Sequence, residues 1–92
     1  MDDTTIRVLF LKTGMILVSK IEEIVEREIG EPDCLLIDPV VFDDSAELEK
    51  SMTRFPSKKI TPDTKMAISS DCILTMVTPD NVLLSEYLVA IG

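Results

Sequence analysis

Ser69, Ser70 and Asp71 stand consecutively, two hydroxyls beside a carboxylate. A serine nucleophile needs a base within reach, and neighbours in sequence do not face one another as a triad does. The chain has no histidine to serve as that base, so the three residues read as a structural turn. The acidic pairs Glu22-Glu23 and Asp43-Asp44 offer oxygen ligands but lack the graded spacing of a calcium loop. They read as a solvated acidic edge. Cys34 and Cys72 lie far apart, inside apolar runs and without a C-x-x-C pattern, and are expected as buried free thiols in a reducing compartment. Met15, Met52, Met66 and Met76 are expected to fill the core. No catalytic residue, metal or cofactor follows from these patterns, and the chain is not expected to be an enzyme.

Anion binding is the chemistry the residue types favour most. The formal net charge is −8, yet Lys50, Arg54, Lys58, Lys59 and Lys65 face one acid, Asp63, between positions 50 and 65. That segment alone attracts a polyanion. Arg54, Lys58, Lys59 and, in the first turn, Lys12 are the candidate contacts to RNA or another anion. Phe55 is close by, but one Tyr, three Phe and no Trp make a thin base-stacking platform, so any such binding is expected to be weak and sensitive to salt. A solvated loop that keeps the protein soluble is the other reading of Lys58 and Lys59.

These residues need elements to hold them. Ile6, Val8, Leu9, Phe10 and Leu11 predict a strand over about 5–11, Lys12-Thr13-Gly14 a tight turn, and Met15-Ile16-Leu17-Val18 the start of a second strand. Apolar residues on both parities require cover on both faces, from the rest of the chain and from neighbouring copies. The second segment is ambiguous. A strand to Arg27 needs a bulge or bend between Ser19 and Glu23; a helix over Lys20–Ile29 has a Ser19/Glu22 capping box and Gly30 as its cap. A third strand covers Cys34–Phe42, with Pro39 at a bulge or bend because it cannot donate to a ladder. Alternation predicts a fourth strand over Leu48–Phe55, followed by an exposed loop to Asp63. Two short strands then flank Ser70-Asp71, or one long strand is broken there, and Thr78-Pro79-Asp80 starts a helix with Thr78 as cap and Leu83, Leu84, Tyr87, Leu88 and Ile91 packed on a barrel mouth.

Two segments resemble the Sm-like (LSm) family. Val8-Leu9-Phe10-Leu11-Lys12-Thr13-Gly14-Met15-Ile16 is similar to the opening of an Sm-like domain, where a strand ending in Leu-Lys-x-Gly turns into a long bent strand. Ile68-Ser69-Ser70-Asp71-Cys72-Ile73-Leu74 resembles the second Sm motif. The whole arrangement is similar to small Sm-like proteins of tailed phages of marine cyanobacteria, through the Gly14 hairpin, Ile37-Asp38-Pro39, Arg54-Phe55-Pro56, the run from Ser69 to Pro79 and the Leu83–Leu88 helix. The resemblance implies an all-β, five-stranded, strongly bent antiparallel Sm-like or SH3-like open barrel over about 5–78, with a C-terminal helix over about 79–90, in a single domain of residues 1–92. It also selects the bent strand over the helix for residues 20–29. The family's Arg-Gly is here Ser69-Ser70, so the guanidinium that meets a base is missing; Asp71, Ile68 and Ile73 carry over as structural residues of an Sm2-like turn formed by Ser69, Ser70 and Asp71.

An open barrel leaves two edge strands, and head-to-tail pairing of edges closes into a cyclic homo-oligomer of roughly five to seven copies. The functional expectation is therefore an Sm-like ring with an RNA-binding or RNA-chaperone role. The alternative is a protein-interaction or assembly scaffold that keeps the barrel without binding RNA. Met1-Asp2-Asp3 does not read as a signal peptide, and no apolar run approaches the ~20 residues that span a bilayer. A cytoplasmic location without membrane association is expected, in a bacterial host cell if the chain is phage-encoded.

Overall fold

A computed structural model describes residues 5–26 and 28–92. The acidic lead-in at residues 1–3 and the expected strand end at Arg27 lie outside the described residues. Six strands, β1 (Thr5–Leu11), β2 (Ile16–Glu23), β3 (Cys34–Phe42), β4 (Met52–Arg54), β5 (Lys65–Ile68) and β6 (Ile73–Val77), precede one helix, α1 (Asn81–Ile91). All pairings are antiparallel, in the order β4-β3-β2-β1-β6, and β5 pairs with β3 as well. The fold is thus mainly β with a C-terminal helix, as expected, but the sheet is open and has six strands rather than five.

The extra strand arises because β3 is long enough to pair twice along one side. Val40, Val41 and Phe42 face β4, whereas Cys34 to Ile37 face β5. Between these halves Asp38 takes a positive φ of 52°. The β2–β3 register steps from Val18↔Val40 to Lys20↔Ile37, so Asp38 and Pro39 together oppose Ser19. This is a β-bulge on β3, and it places Pro39 where its missing N–H costs no ladder bond. The helix considered for Lys20–Ile29 does not form: β2 runs to Glu23, and the chain then loops back. Ile24 N–H donates to the Asp33 carbonyl at 2.9 Å, and Gly30 supplies a φ of 91° for the turn. Gly14 does the same for the first hairpin, at 95°.

Both faces of the central strands are covered within one chain. On one face Val8, Val18, Val40 and Tyr87 form a buried cluster, onto which Leu83 and Ile91 of α1 pack. On the other, Leu9, Leu17 and Leu36 are 0–1% exposed. Met66 and Ile68 from β5 and Ile73 from β6 all pack on that second cluster, so the sheet curls until its two ends meet the same side chains. The two-sided apolar pattern therefore does not require neighbouring copies to cover the central strands. The helix lies over a sheet face rather than on a barrel mouth, and its Leu88 is 47% exposed.

Three local expectations shift. The fourth strand shortens to Met52–Arg54 because Leu48–Lys50 wind into a 3-10 turn, closed by the buried Ser51, whose hydroxyl donates to the Leu48 carbonyl at 2.6 Å. The helix starts after Asp80, not Thr78: the Asp80 carboxylate accepts the Val82 N–H at 2.9 Å, and Pro79 falls before the cap instead of at the first helical position. Cys34 is only half-buried and Cys72 is exposed, since the 3-10 turn Ser70–Cys72 carries Cys72 outward. Met15, Met52 and Met66 join the clusters; Met76 is 46% exposed.

Candidate anion site

Arg54 ends β4 and begins the loop to β5. Its guanidinium donates to the carbonyls of Pro56 at 3.4 Å, Thr61 at 3.4 Å and Asp63 at 2.5 Å. The side chain expected to meet an anion is thus committed to holding its own loop in shape. Five donors in a rigid fork suit that task, because one group can gather several orphan carbonyls. Its charge is offset by dipoles and not by a carboxylate: among the described residues the ion pair found is Lys20 with Asp38, at 3.7 Å.

Arg54 and Lys58 line one cleft of about 300 Å³, walled by Pro39, Val40 and Phe55 on the sheet side and by Ala90, Ile91 and Gly92 at the end of α1. A shallower depression beside it is lined by Arg54, Lys58, Pro62 and Thr64. Two of the four basic candidates therefore come together. Lys59 is exposed on the same loop, with its backbone N–H held by the Ser57 hydroxyl at 3.1 Å. Lys12 sits apart in the β1–β2 turn, whose backbone N–H meets the Cys72 carbonyl at 2.9 Å. The cleft is amphipathic, lined by two cations, by Asp38 and Thr64 and by apolar residues.

The Ser69-Ser70-Asp71 turn is structural in its geometry. Ser69 Oγ caps the 3-10 turn by accepting the Asp71 N–H at 3.2 Å. Asp33 accepts both the Ser70 N–H and the Ser70 hydroxyl, each at 2.6 Å, and so ties the loop after β2 to the β5–β6 connection. Asp33 was not marked by any sequence signal, since its partner lies 37 positions away. Among the described residues no three His, Cys, Asp or Glu side chains gather in a way that holds a metal ion. Of the acidic pairs, Asp43 has its carboxyl held below the usual range by hydrogen bonds from the Ser45 hydroxyl and backbone N–H, a turn-forming role.

The centre of the fold is a tyrosine that the sequence places only among the helix residues packed on a barrel mouth. The Tyr87 hydroxyl reaches from α1 into the bulge, accepts the Lys20 N–H at 3.2 Å and donates to the Asp38 carbonyl at 2.8 Å, with the Ile37 carbonyl at 3.3 Å. Ser19 Oγ, 0% exposed, sits in the same place, 2.7 Å from the Lys20 carbonyl and 3.2 Å from that of Ile37. A bulge breaks a ladder and leaves backbone groups unpaired; these two hydroxyls take them up. Burial pushes the Tyr87 phenol up to about 12. The only available hint was Asp38-Pro39 inside an apolar run, which predicts a bulge but not what fills it.

With cleft, bulge and turn defined, the chain can be compared with known proteins. A family model matches residues 4–92. The chain belongs to DUF6561, a family of unknown function. The match takes in every described element, so the bulge, the lysine loop and the helix all fall inside one DUF6561 unit. No curated protein matches the chain. Among the described residues no helix is long and apolar enough to cross a membrane.

Proposed function

We propose that this DUF6561 chain is a non-enzymatic assembly module, an Sm-like barrel that associates head to tail through its sheet edges into a ring of roughly five to seven copies. The observation that carries this reading is the state of β6. Among the described residues it pairs with β1 alone, and its Leu74, Met76 and Val77 are 70%, 46% and 44% exposed. Edge strands are ordinarily blunted by Lys, Pro or a covering element, and Ile73–Val77 contains no Lys and no Pro. On the other edge, among the described residues, β5 pairs with β3 alone. Two edges open on one protomer, β5 carrying a single blunting residue, Lys65, generate a heterologous contact, which closes into a ring when the rotation permits. Size-exclusion chromatography with light scattering tests it. A multiple of the 10.2 kDa protomer is expected; a monomer at micromolar concentration overturns the proposal.

An RNA-associated ring is the second reading, favoured by Lys58 and Lys59 on one exposed loop. The commitment of Arg54 to loop carbonyls and the absence of the Arg-Gly of the second Sm motif weigh toward the scaffold. Filter binding with uridine-rich and adenine-rich RNA at two salt concentrations separates the two, because affinity through phosphates falls as salt rises. Lys58→Glu with Lys59→Glu abolishes that binding if the loop carries it. In either role a cytoplasmic setting, in a bacterial host for a phage-encoded chain, fits the free thiols of Cys34 and Cys72.

A further inference from the structure

The cleft between the β3 bulge and the end of α1 is walled by backbone that three separate devices hold in place. Asp38 N–H donates to the Thr64 carbonyl at 2.7 Å and Phe55 N–H to the Pro39 carbonyl at 3.0 Å, so both ends of the lysine loop are tied to the bulge. Arg54 gathers the carbonyls within that loop. At the end of α1, Ile91 packs on the first buried cluster. The space is therefore formed before anything enters it, and a preformed site spares a ligand the cost of ordering its walls. At about 300 Å³ it suits a small molecule and not a folded partner.

Its cations have donors to spare. The loop carbonyls take both N–H groups of Arg54 Nη1 and one of Nη2, three of the five that a guanidinium offers. Among the described residues the Nε–H and the second Nη2–H carry no bond. No buried side-chain nitrogen of the described residues lacks a partner, and Arg54 is only half-buried, so the Nε–H is open to solvent. Nε and Nη2 share one edge of the planar fork, and such an edge takes a carboxylate through two parallel bonds. Lys58 is exposed and makes no ion pair with a described residue. Arg54, Lys58 and Thr64 line both the cleft and the depression beside it, so a guanidinium, an ammonium group and a hydroxyl border the two together.

The rest of the lining sets the ligand's other end and its charge. Pro39, Val40, Phe55, Ala90 and Ile91 are apolar. Asp38, whose carboxylate stands 3.7 Å from Lys20 Nζ, also lines the cleft and works against a second negative charge on the ligand, since like charges brought together cost free energy. We infer that the cleft binds a small monocarboxylate with an apolar body, its head on Arg54 and Lys58 and its body against Val40, Phe55 and Ile91. A free organic acid and the C-terminus of a peptide ending in an apolar residue share that chemistry. A nucleic-acid strand, charged at every phosphate, does not. No residue of β6 takes part, so this site and the proposed assembly stand or fall separately.

Amide and arginine side-chain NMR on the full chain, titrated with 4-phenylbutyrate, tests the site. Saturable shifts are expected at the Arg54 Nε–H and at the amides of Val40, Thr64 and Ala90, with a dissociation constant of about 1 mM or tighter. Acetate keeps the head without the body, and 4-phenylbutan-1-ol the body without the charge; each is expected to bind at least about tenfold more weakly. Lys58→Gln, at an exposed position, is expected to weaken binding about threefold. Ala90→Glu, also at an exposed position, sets a carboxylate of the chain's own in the lining and is expected to abolish it. N-acetylglycylphenylalanine offers the same head and a ring on a peptide; tighter binding of it or of 4-phenylbutyrate assigns the source, and either result upholds the monocarboxylate. Wild type without a saturable shift overturns the proposal. So does acetate that binds as tightly as 4-phenylbutyrate, or unchanged affinity in both variants when their spectra elsewhere match the wild type.

Discussion

The crossing of α1 over the bulge and the outer edge of β6 are built from similarly apolar sequence and end in opposite states. At the crossing, Tyr87, Ser19 and Val18 are 0% exposed, and the backbone groups released by the bulge meet a hydroxyl. Along β6, Leu74, Met76 and Val77 stand in solvent and, among the described residues, one side of the strand has no ladder partner. The first region is finished within the chain; the second keeps an open edge and exposed apolar side chains. Stability should therefore concentrate at the crossing, and association at the edge.

The comparison breaks most visibly at Tyr87. Tyr87→Ala should cost about 3–5 kcal/mol, the range for truncating a buried aromatic, read as a lowered urea midpoint. Tyr87→Phe keeps the ring but strands the Lys20 N–H and the Asp38 carbonyl, and should cost about 1–3 kcal/mol; a neutral result removes the hydroxyl from the account of the bulge. The same contact predicts a pH dependence. With the phenol raised to about 12 in the folded state from about 10 when unfolded, the folded state holds its proton more tightly. Its contribution is fully present below pH 10 and is lost as pH rises through 12. This is the chain's one tyrosine, so phenolate absorbance during an alkaline titration reports it directly and should rise together with unfolding.

Smaller effects sharpen the contrast. Asp33→Ala removes both bonds to Ser70 at an exposed site and should cost roughly 1 kcal/mol, with faster hydrogen exchange in the 24–33 loop as its signature. Leu74→Lys with Met76→Lys should change monomer stability by no more than about 0.5 kcal/mol per site, as exposed positions do, while abolishing association. Equal loss of stability and association in that variant erases the distinction between the two regions.

Much of the strand layout was legible. Thr5–Leu11, the Gly14 turn, Cys34–Phe42 and the two strands around Ser70-Asp71 follow from apolar runs punctuated by turn residues, because their cause is local. The bulge was half legible, since Pro39 announces a missing donor without naming the residue opposite. Residues 20–29 were not decidable locally: the spacing of Ile21, Ile24, Val25 and Ile29 suits a helix as well as a strand, pairing with β3 makes strand only as far as Glu23, and 24–26 and 28–29 lie in neither. Of the candidate site, Arg54 and Lys58 came together as their closeness in sequence suggested, but the role of Arg54 changed. A basic residue near a loop gives no sign of how many backbone carbonyls will converge on it.

By itself the sequence determined a mainly β chain with a terminal helix, two apolar faces to cover and one basic stretch in an acidic background, because composition and periodicity act over a few residues. Tertiary structure alone decided that α1 and the curl of the sheet cover those faces, that Tyr87 fills the bulge and that Asp33 grips Ser70. These outcomes depend on groups 37 to 67 positions apart, and only the folded backbone fixes which of them meet.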